Sequence, residues 1–391
     1  MRRLLTFAIV IVCSTLVVPT PIQAGATRER WPICGQWREV PVPGDDLYPG
    51  GLGYVSDVDV VSPTEAWAVS DYGYEVWNEA HVYRWGGLRW EEVPFPTPDT
   101  GPDYEYWALD DIEAISATDV WVVGYKLRIG SGVSRPIVGR WNGSRWRLVP
   151  LGLRHVYGQL AGIVSVPGTD DLVAVGTRSP RRPSPIDRDE EALILRWNGS
   201  RWQRIRGTDP GRWSELVDVV LAGSVVWAVG TGLRRGEAAP HLLAFRWTRR
   251  GWAPRWGPRG HVTSADAVAP DEIWAAGWTP TAGGGGGMLA RWNGRAWTIA
   301  HRFDRVDVLS DVVAPAPGDV WAVGSTFVRK WNLPRGYIVH GGGGIWRIDW
   351  RSDDHGDVTA IDGTPHNLWT FFTYPPVEAA EVWRFTSLHR C

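Results

Sequence analysis

A five-residue pattern that recurs along most of the chain constrains the fold more than any other feature. The pattern places Trp after an aliphatic residue and ends in Gly, as in the two VWAVG copies at 226–230 and 320–324. Seven copies lie at 66–70, 120–124, 172–176, 226–230, 273–277, 320–324 and 368–372. Spacings such as the 47 residues from Trp227 to Trp274 are typical of repeats that each form one supersecondary unit.

The stretch from 109 to 150 shows what one repeat contains. Four apolar runs of strand length, at 111–116, 120–124, 136–141 and 145–149, are separated by turn signals. Asn142-Gly143 predicts a type I′ hairpin, whose two central residues need φ > 0. Each repeat is therefore predicted to be a four-stranded antiparallel sheet. Such sheets bury both faces when they are stacked around an axis, as the blades of a β-propeller are.

The two ends of the chain complete one another. The third-strand motif, RWNGSRW at 140–146, recurs down the chain, but the last copy is only its first half, RFTS at 384–387, before the chain ends. The missing outer strand is found near the other end, where WREVP at 37–41 matches WRLVP at 146–150. We therefore predict an all-β, seven-bladed propeller whose last blade is closed by both termini, with residues 27–391 as a single domain.

Residues 1–26 have the features of a secretory signal peptide. Arg2 and Arg3 precede an apolar stretch at 4–18, and small residues at 24–26 form a cleavage site. No later segment is apolar enough to span a membrane. The mature chain is expected in the cell envelope or the medium. Export places Cys34 and Cys391 in an oxidising compartment, and the shared blade brings them together, so we predict a disulfide between them.

The charge balance excludes one class of partner. With a formal net charge of −2 and a pI near 6.5, the chain is not expected to bind nucleic acid. It contains 27 Trp residues, and those repeated at strand positions are expected to fill the core between sheets. We expect a monomer.

The repeats resemble a known group of proteins. VWAVG, a third strand and a hairpin ending in Trp resemble secreted bacterial propellers of the sialidase-like and photosystem II assembly factor type, over residues 37–385. The resemblance implies the propeller architecture. Those relatives usually carry an Asp-box, Ser-x-Asp-x-Gly-x-x-Trp, where this chain has Trp-Asn-Gly-Ser-x-Trp, so no Asp-box property is transferred. The paired Gly-His and Trp-Asp dipeptides of WD40-like repeats are absent as well.

Two sets of charged residues follow the repeat. An acid at the start of the second strand is matched by Arg at the end of the third, which predicts a cross-strand ion pair. These pairs are Glu65–Arg84, Asp119–Arg140, Asp171–Arg196 and Glu272–Arg291. Acids also open the innermost strands, at Asp57, Asp111, Asp218, Asp266, Asp311 and Asp357, with Gly162 in the third blade. Converging at the channel mouth, they form a candidate calcium site. The favoured interpretation is that each Asp caps backbone N–H groups of the preceding loop, with no cofactor.

Loop lengths distinguish the two faces of the predicted ring. The first-to-second strand turns and the hairpins are short, whereas the connections on the opposite face, such as 71–80, 96–110 and 178–191, are long. Aromatic rings and carboxylates concentrate in the long connections of blades one and two. The candidate binding residues are Asp45, Tyr48, Tyr72, Tyr74, Glu75, Trp77, Asp103, Tyr104, Tyr106 and Trp107.

Three functions remain open at this stage. The favoured one is an exported propeller that binds a glycan, a cationic peptide or a protein partner through its long-loop face. The second is an exported hydrolase that uses carboxylates at the channel mouth. The third is a purely structural or assembly factor. No catalytic residue is assigned, since the chain lacks GxSxG, P-loop and HExxH motifs.

Overall fold

In the computed structural model, the described residues are 35–43, 52–74, 77–97, 105–128, 131–153, 156–179, 190–206, 213–248, 250–281, 284–328, 333–352, 355–374 and 384–391. The predicted signal peptide and Cys34 lie outside them. Within the described residues, the regular structure is entirely β-strand. Within these ranges, no helix is long and apolar enough to span a membrane.

The strands form seven four-stranded antiparallel sheets, the blades of a β-propeller. Blade 1 contains β2 (Leu52–Ser62), β3 (Glu65–Tyr74), β4 (Trp77–Trp85) and β5 (Trp90–Glu92). Blade 2 contains β6 (Glu105–Ser116), β7 (Asp119–Arg128), β8 (Val133–Trp141) and β9 (Trp146–Leu148). Blade 3 contains β10 (Tyr157–Ser165), β11 (Asp171–Ser179), β12 (Glu191–Asn198) and β13 (Trp202–Arg204). Blade 4 contains β14 (Trp213–Ala222), β15 (Val225–Leu233), β16 (His241–Thr248) and β17 (Gly251–Arg259).

The remaining three blades follow the same order from the inside outwards. Blade 5 contains β18 (His261–Ala269), β19 (Glu272–Thr281), β20 (Gly284–Trp292) and β21 (Trp297–Phe303). Blade 6 contains β22 (Val308–Ala316), β23 (Asp319–Val328), β24 (Leu333–Gly342) and β25 (Ile345–Arg351). Blade 7 contains β26 (Asp357–Thr364), β27 (Asn367–Tyr374), β28 (Arg384–Arg390) and β1 (Arg38–Pro41).

Blade 7 closes the ring with both termini, as predicted. Strand β1 pairs with β28, with Arg38 opposite His389. The motif position within β28 differs from the prediction. Trp369 lies opposite His389, as Trp121 lies opposite Arg140 in blade 2, so the motif position is His389-Arg390 and not the predicted RFTS at 384–387. His389-Arg390, near the end of β28, has no Trp and was therefore not recognised as a copy of the Arg-Trp motif in the sequence.

The two central residues of the Asn-Gly hairpins lie one position later in the chain than predicted. Trp141 pairs with Trp146, and the N–H of Asn142 donates to the carbonyl of Arg145 at 3.4 Å, so Gly143 and Ser144 are the central residues. Gly143 has a φ of 87°, which favours glycine. The Oδ1 of Asn142 accepts hydrogen bonds from the N–H groups of Ser144 and Arg145 at 3.1 Å. Asn therefore closes the turn with its side chain.

The core lies between neighbouring blades and is rich in Trp, as predicted. The second-strand Trp67 of blade 1 is fully buried and contacts the two Trp residues that flank the hairpin of blade 2. Its ring centroid lies 5.7 Å from that of Trp141 and 6.0 Å from that of Trp146. Trp369 of blade 7 makes the same contacts with Trp85 and Trp90 of blade 1, at 4.7 and 5.2 Å. The core therefore extends across the junction where the ring closes.

Candidate binding site at the channel mouth

Acidic side chains line the central channel at two levels. Each innermost strand has a β-bulge that interrupts its pairing with the second strand. We define the first level of the channel by the first paired residue after each bulge. The first level holds Asp57, Asp111, Asp218 and Asp311, with Gly162, Ser264 and Ala360 in the other three blades. Two residues further along lies the second level, with Asp59, Glu113, Asp266 and Asp362. These residues border a channel cavity of about 350 Å³.

This placement corrects the predicted single ring of six acids. Asp266 lies two pairs deeper than Asp57, and Asp357 lies three residues before the first-level position of its blade. Asp residues recur at similar spacings in the sequence, but the β-bulge shifts the strand register. An alignment of the Asp residues by sequence alone therefore groups residues from different levels of the channel. Gly162 does occupy the first level in blade 3. A Cβ there would lie 2.9 Å from the Cα of Asp218, so Gly permits the close approach of blades 3 and 4.

The channel acids connect one blade to the next. The Oδ2 of Asp111 accepts from the N–H of Ile163 in blade 3 at 2.5 Å, and the Oδ2 of Asp218 from that of Ala265 in blade 5 at 2.8 Å. At the second level, the Oδ2 of Asp362 accepts from the N–H of Val60 across the closing junction at 2.7 Å. The acids thus bind backbone N–H groups, as the favoured interpretation held, but those of the next blade and not those of the preceding loop.

Burial raises the pKa of these carboxyls. It raises the pKa of Asp218 to about 8, of Asp362 to about 7 and of Asp311 to about 6. Burial, and then the charge of Asp111, hold the pKa of Asp57 well above its usual range. Partly neutral carboxyls whose oxygens already accept N–H groups are poor calcium ligands. No cluster of three His, Cys, Asp or Glu side chains in the described part of the chain could hold a metal ion.

The predicted cross-strand ion pairs are present in all four blades. Charged atoms lie 2.9 Å apart in Glu65–Arg84, 2.8 Å in Asp119–Arg140, 2.5 Å in Asp171–Arg196 and 3.2 Å in Glu272–Arg291. In blade 6, where Arg is replaced, the Nε2 of His340 lies 2.6 Å from Asp319. The pairs lie on the short-turn face, away from the long connections.

The long connections of blades 1 and 2 are shorter than predicted. Strands β3 and β4 stay paired out to Tyr74 and Trp77, so residues 71–80 are mostly hairpin strand. For Tyr72, Tyr74 and Trp77 the structure describes only the backbone. Asp45, Tyr48, Glu75, Asp103 and Tyr104 lie outside the described residues. Trp107 is 4% exposed and packs in the core between blades 1 and 2, so it is not a surface platform.

Tyr106 is the candidate that the structure places in a polar cluster. Its hydroxyl donates to the Oδ2 of Asp71 in blade 1 at 2.7 Å, and its ring stacks on that of Tyr125 with centroids 5.9 Å apart. Tyr54 lies directly across the strand pair from Asp71 and is half exposed. Asp110 is the bulge residue of β6 and lines the channel. We call Tyr54, Asp71, Tyr106, Asp110 and Tyr125 the channel-mouth cluster.

Burial and the charge of Asp71 raise the pKa values of the other groups in the channel-mouth cluster. The charge of Asp71, followed by burial, raises the pKa of Tyr54 to about 12. Burial and the two carboxyls raise the pKa of Tyr125 to about 12, and burial, followed by the charge of Asp71, raises the pKa of Tyr106 as well. Burial and the charge of Asp71 raise the pKa of Asp110 to about 8. Its Oδ2 is buried and accepts no hydrogen bond from the described residues. The cluster can therefore accept hydrogen bonds from a cation.

Sequence reasoning missed three members of this cluster as site residues. Tyr125 directly follows the VWVVG motif, and Tyr54 and Asp110 are the last residues of the predicted long connections 44–54 and 96–110, within which they were not singled out. The available signal was the bulge position, which is Ser, Ala, Val or Thr in the other six blades and charged only at Asp110. Recognising which residue occupies the bulge position requires the strand register, which only the structure supplies.

Comparison with known proteins shows the fold alone. No family model and no curated protein matches the chain. Among solved structures, YCF48 bound to D1 peptide is similar with a TM-score of 0.54 and 14% identity, over 91% of this chain and 95% of that one. The polysaccharide lyase PL25 ulvan lyase, bound to -[GlcA(1-4)Rha3S]-, has a TM-score of 0.56 and 11% identity, over 89% and 95%. The polysaccharide lyase Uly1 has a TM-score of 0.52 and 9% identity, over 93% of this chain and 94% of that one.

Proposed function

We propose that this protein binds a cationic segment of a peptide or protein partner at the channel-mouth cluster. The observation that carries the proposal is Asp110, a buried carboxyl whose Oδ2 accepts no hydrogen bond from the described residues, beside Asp71 and three tyrosines. A guanidinium can donate to two carboxylates at once and stack on an aromatic face. The half-exposed ring of Tyr54 offers such a face.

The similarity to YCF48 supports a peptide as the ligand class. That protein has the same fold and holds a D1 peptide. A rigid ring of blades with a polar cluster beside the channel is suited to the same use here. Tyr72, Tyr74, Glu75, Trp77 and the acids of the neighbouring connections would extend the contact surface, as would Asp45, Tyr48, Asp103 and Tyr104.

An enzyme acting on polysaccharide is the second candidate. Asp110, with a pKa near 8, would carry a proton at neutral pH beside a carboxylate, which is how a general acid is prepared. The two lyases of the same fold support this class of substrate. Cleavage of a uronic-acid polysaccharide that is lost in Asp110→Asn would favour this candidate over the first.

Export and a disulfide complete the proposal. Residues 1–26 would direct the chain out of the cytoplasm, and Cys34 would bond to Cys391. The N–H of Gly35, next to Cys34, donates to the carbonyl of Cys391 at 3.1 Å, which supports the pairing. The bond would connect the strands β1 and β28 where other blades have a hairpin.

Isothermal titration calorimetry tests the peptide proposal. The probes are a decapeptide of alternating Arg and Gly and its citrulline counterpart, which has the same shape without charge. We expect binding of the Arg peptide only, and about tenfold weaker binding in Asp71→Asn, since one charge-assisted hydrogen bond is lost. Asp170→Asn, an exposed acid on the short-turn face, is the matched control and should change nothing. Equal binding of both peptides would contradict the proposal.

A further inference from the structure

Six blade junctions share one aromatic arrangement. The second-strand Trp of each blade lies between an Arg or His of its own third strand and aromatic side chains of the next blade. These six residues are Trp67, Trp121, Trp227, Trp274, Trp321 and Trp369. The guanidinium of Arg140, for example, lies 4.8 Å from the ring centroid of Trp121, and the ring of His340 stacks at 3.7 Å on that of Trp321.

Blade 3 departs from this arrangement at one residue. Val173 lies opposite Arg196, the register at which Trp121 lies opposite Arg140. The other parts of the arrangement are retained. Arg196 still pairs with Asp171, and blade 4 still contributes Trp247 and Trp252, whose ring centroids lie 5.3 Å apart.

A cavity of about 180 Å³ lies where the missing ring would be. Its lining includes Val173, Arg196, Asp171, Trp247 and Trp252. The loss of the ring is visible in the neighbouring side chains, because Trp247 is 38% exposed whereas its counterpart Trp292 is 4% exposed. The cavity therefore offers one apolar wall, one guanidinium and one carboxylate to an incoming group.

We propose that this cavity binds a planar indole ring. The ring would enter between the Arg196 guanidinium and the two Trp rings of blade 4, as the built-in Trp rings do at the other junctions. Asp171 occupies the position of Glu65, Glu272 and Asp319, each of which accepts a hydrogen bond from the Nε1 of the Trp two residues later. It would accept one from the indole N–H in the same way. The site is on the short-turn face, distant from the channel-mouth cluster.

The source of the ring can be a free indole compound or a Trp side chain of a peptide. The contacts distinguish indole from flat rings that lack an N–H, because the indole N–H lies at the edge that faces Asp171. We therefore expect indole to bind more tightly than 1-methylindole, in which the N–H is replaced. Loss of a hydrogen bond to a charged acceptor corresponds to about tenfold in affinity.

Saturation-transfer NMR and calorimetry with indole, 1-methylindole, N-acetyltryptophanamide and N-acetylleucinamide test the proposal. Indole should bind to the wild type, and N-acetyltryptophanamide should also bind if the natural source is a peptide. N-acetylleucinamide should not bind. Binding of the leucine compound as tightly as indole, or the absence of indole binding, would overturn the proposal.

Two variants locate the binding. Val173→Trp should fill the cavity with the chain's own ring, abolish indole binding and raise the melting temperature. Val61→Trp adds the same ring at an exposed position in blade 1 and should leave indole binding unchanged. Should Val173→Trp fail to fold, Asp171→Asn provides the second test, because it should remove the preference for indole over 1-methylindole. Unchanged indole binding in Val173→Trp, or an unchanged preference in Asp171→Asn, would overturn the proposal.

Discussion

The Oδ2 of Asp57 in blade 1 accepts a hydrogen bond from the backbone N–H of Ile112 in blade 2 at 3.0 Å. Asp111, Asp218 and Asp311 repeat this contact at other junctions, and the second-level acids add four more. Blades stacked only by apolar packing could slide past one another along the channel axis. A directional hydrogen bond between innermost strands fixes their relative height, so the channel acids belong to the scaffold.

The channel acids predict that stability falls as pH rises. The pKa values of Asp311, Asp362 and Asp218 in the folded protein are raised to about 6, 7 and 8. Above the unfolded pKa near 4, the folded state holds more protons than the unfolded state, so the unfolding free energy decreases with pH. We expect the decrease to run from about pH 4 to pH 8, at up to roughly 1.4 kcal/mol per pH unit for each group.

Urea unfolding at pH 5, 6, 7 and 8 measures this slope. Asp218→Asn, which does not titrate, should flatten the slope between pH 7 and 8, whereas Asp170→Asn on the surface should not. Unfolding free energies that rise between pH 5 and 8 would show that these carboxyls are ionised in the fold.

The cross-strand ion pairs should differ in their contribution to stability. Glu65 accepts from both Arg84 and the Nε1 of Trp67, and its side chain is only 13% exposed. Glu65→Ala leaves a buried donor unpaired, which should cost about 2 kcal/mol of unfolding free energy. Asp119→Ala removes a more exposed pair and should cost less than about 1 kcal/mol. Equal costs in urea unfolding would show that burial does not decide the difference.

A disulfide between Cys34 and Cys391 would make stability sensitive to reduction. If Cys34 bonds to Cys391, it closes a loop of nearly the whole mature chain, and chain-entropy models give such a loop about 4 to 5 kcal/mol. Cys34→Ser and Cys391→Ser should each lower the unfolding free energy by this amount, and the double variant by no more. Thiol titration of the folded protein, prepared under oxidising conditions, should then find no free thiol. Two reactive thiols would rule out the bond.

The repeat pattern predicted the architecture because it reports burial, which decides where strands form. The ring closure followed from WREVP at 37–41, since each blade needs an outer strand. The site could be predicted only in part. Trp107 lies in a segment rich in aromatic and acidic residues, which predicted a surface site, but it packs in the core. Asp266 has the sequence spacing expected of a first-level acid but lies in the second level. Which face a side chain points to depends on the bulge, and a bulge leaves no clear mark in the sequence.

Calorimetry of the Arg-Gly decapeptide between pH 7 and 9 tests the central claim most directly. Arg stays charged over this range, so changes in affinity report on the protein. Asp110, with a pKa near 8, must lose its proton to pair with the peptide. We predict that the affinity rises with pH, that binding at pH 7 releases a proton, and that Asp110→Asn removes both effects. An affinity that is independent of pH and of Asp110→Asn would contradict a cation site at the channel mouth.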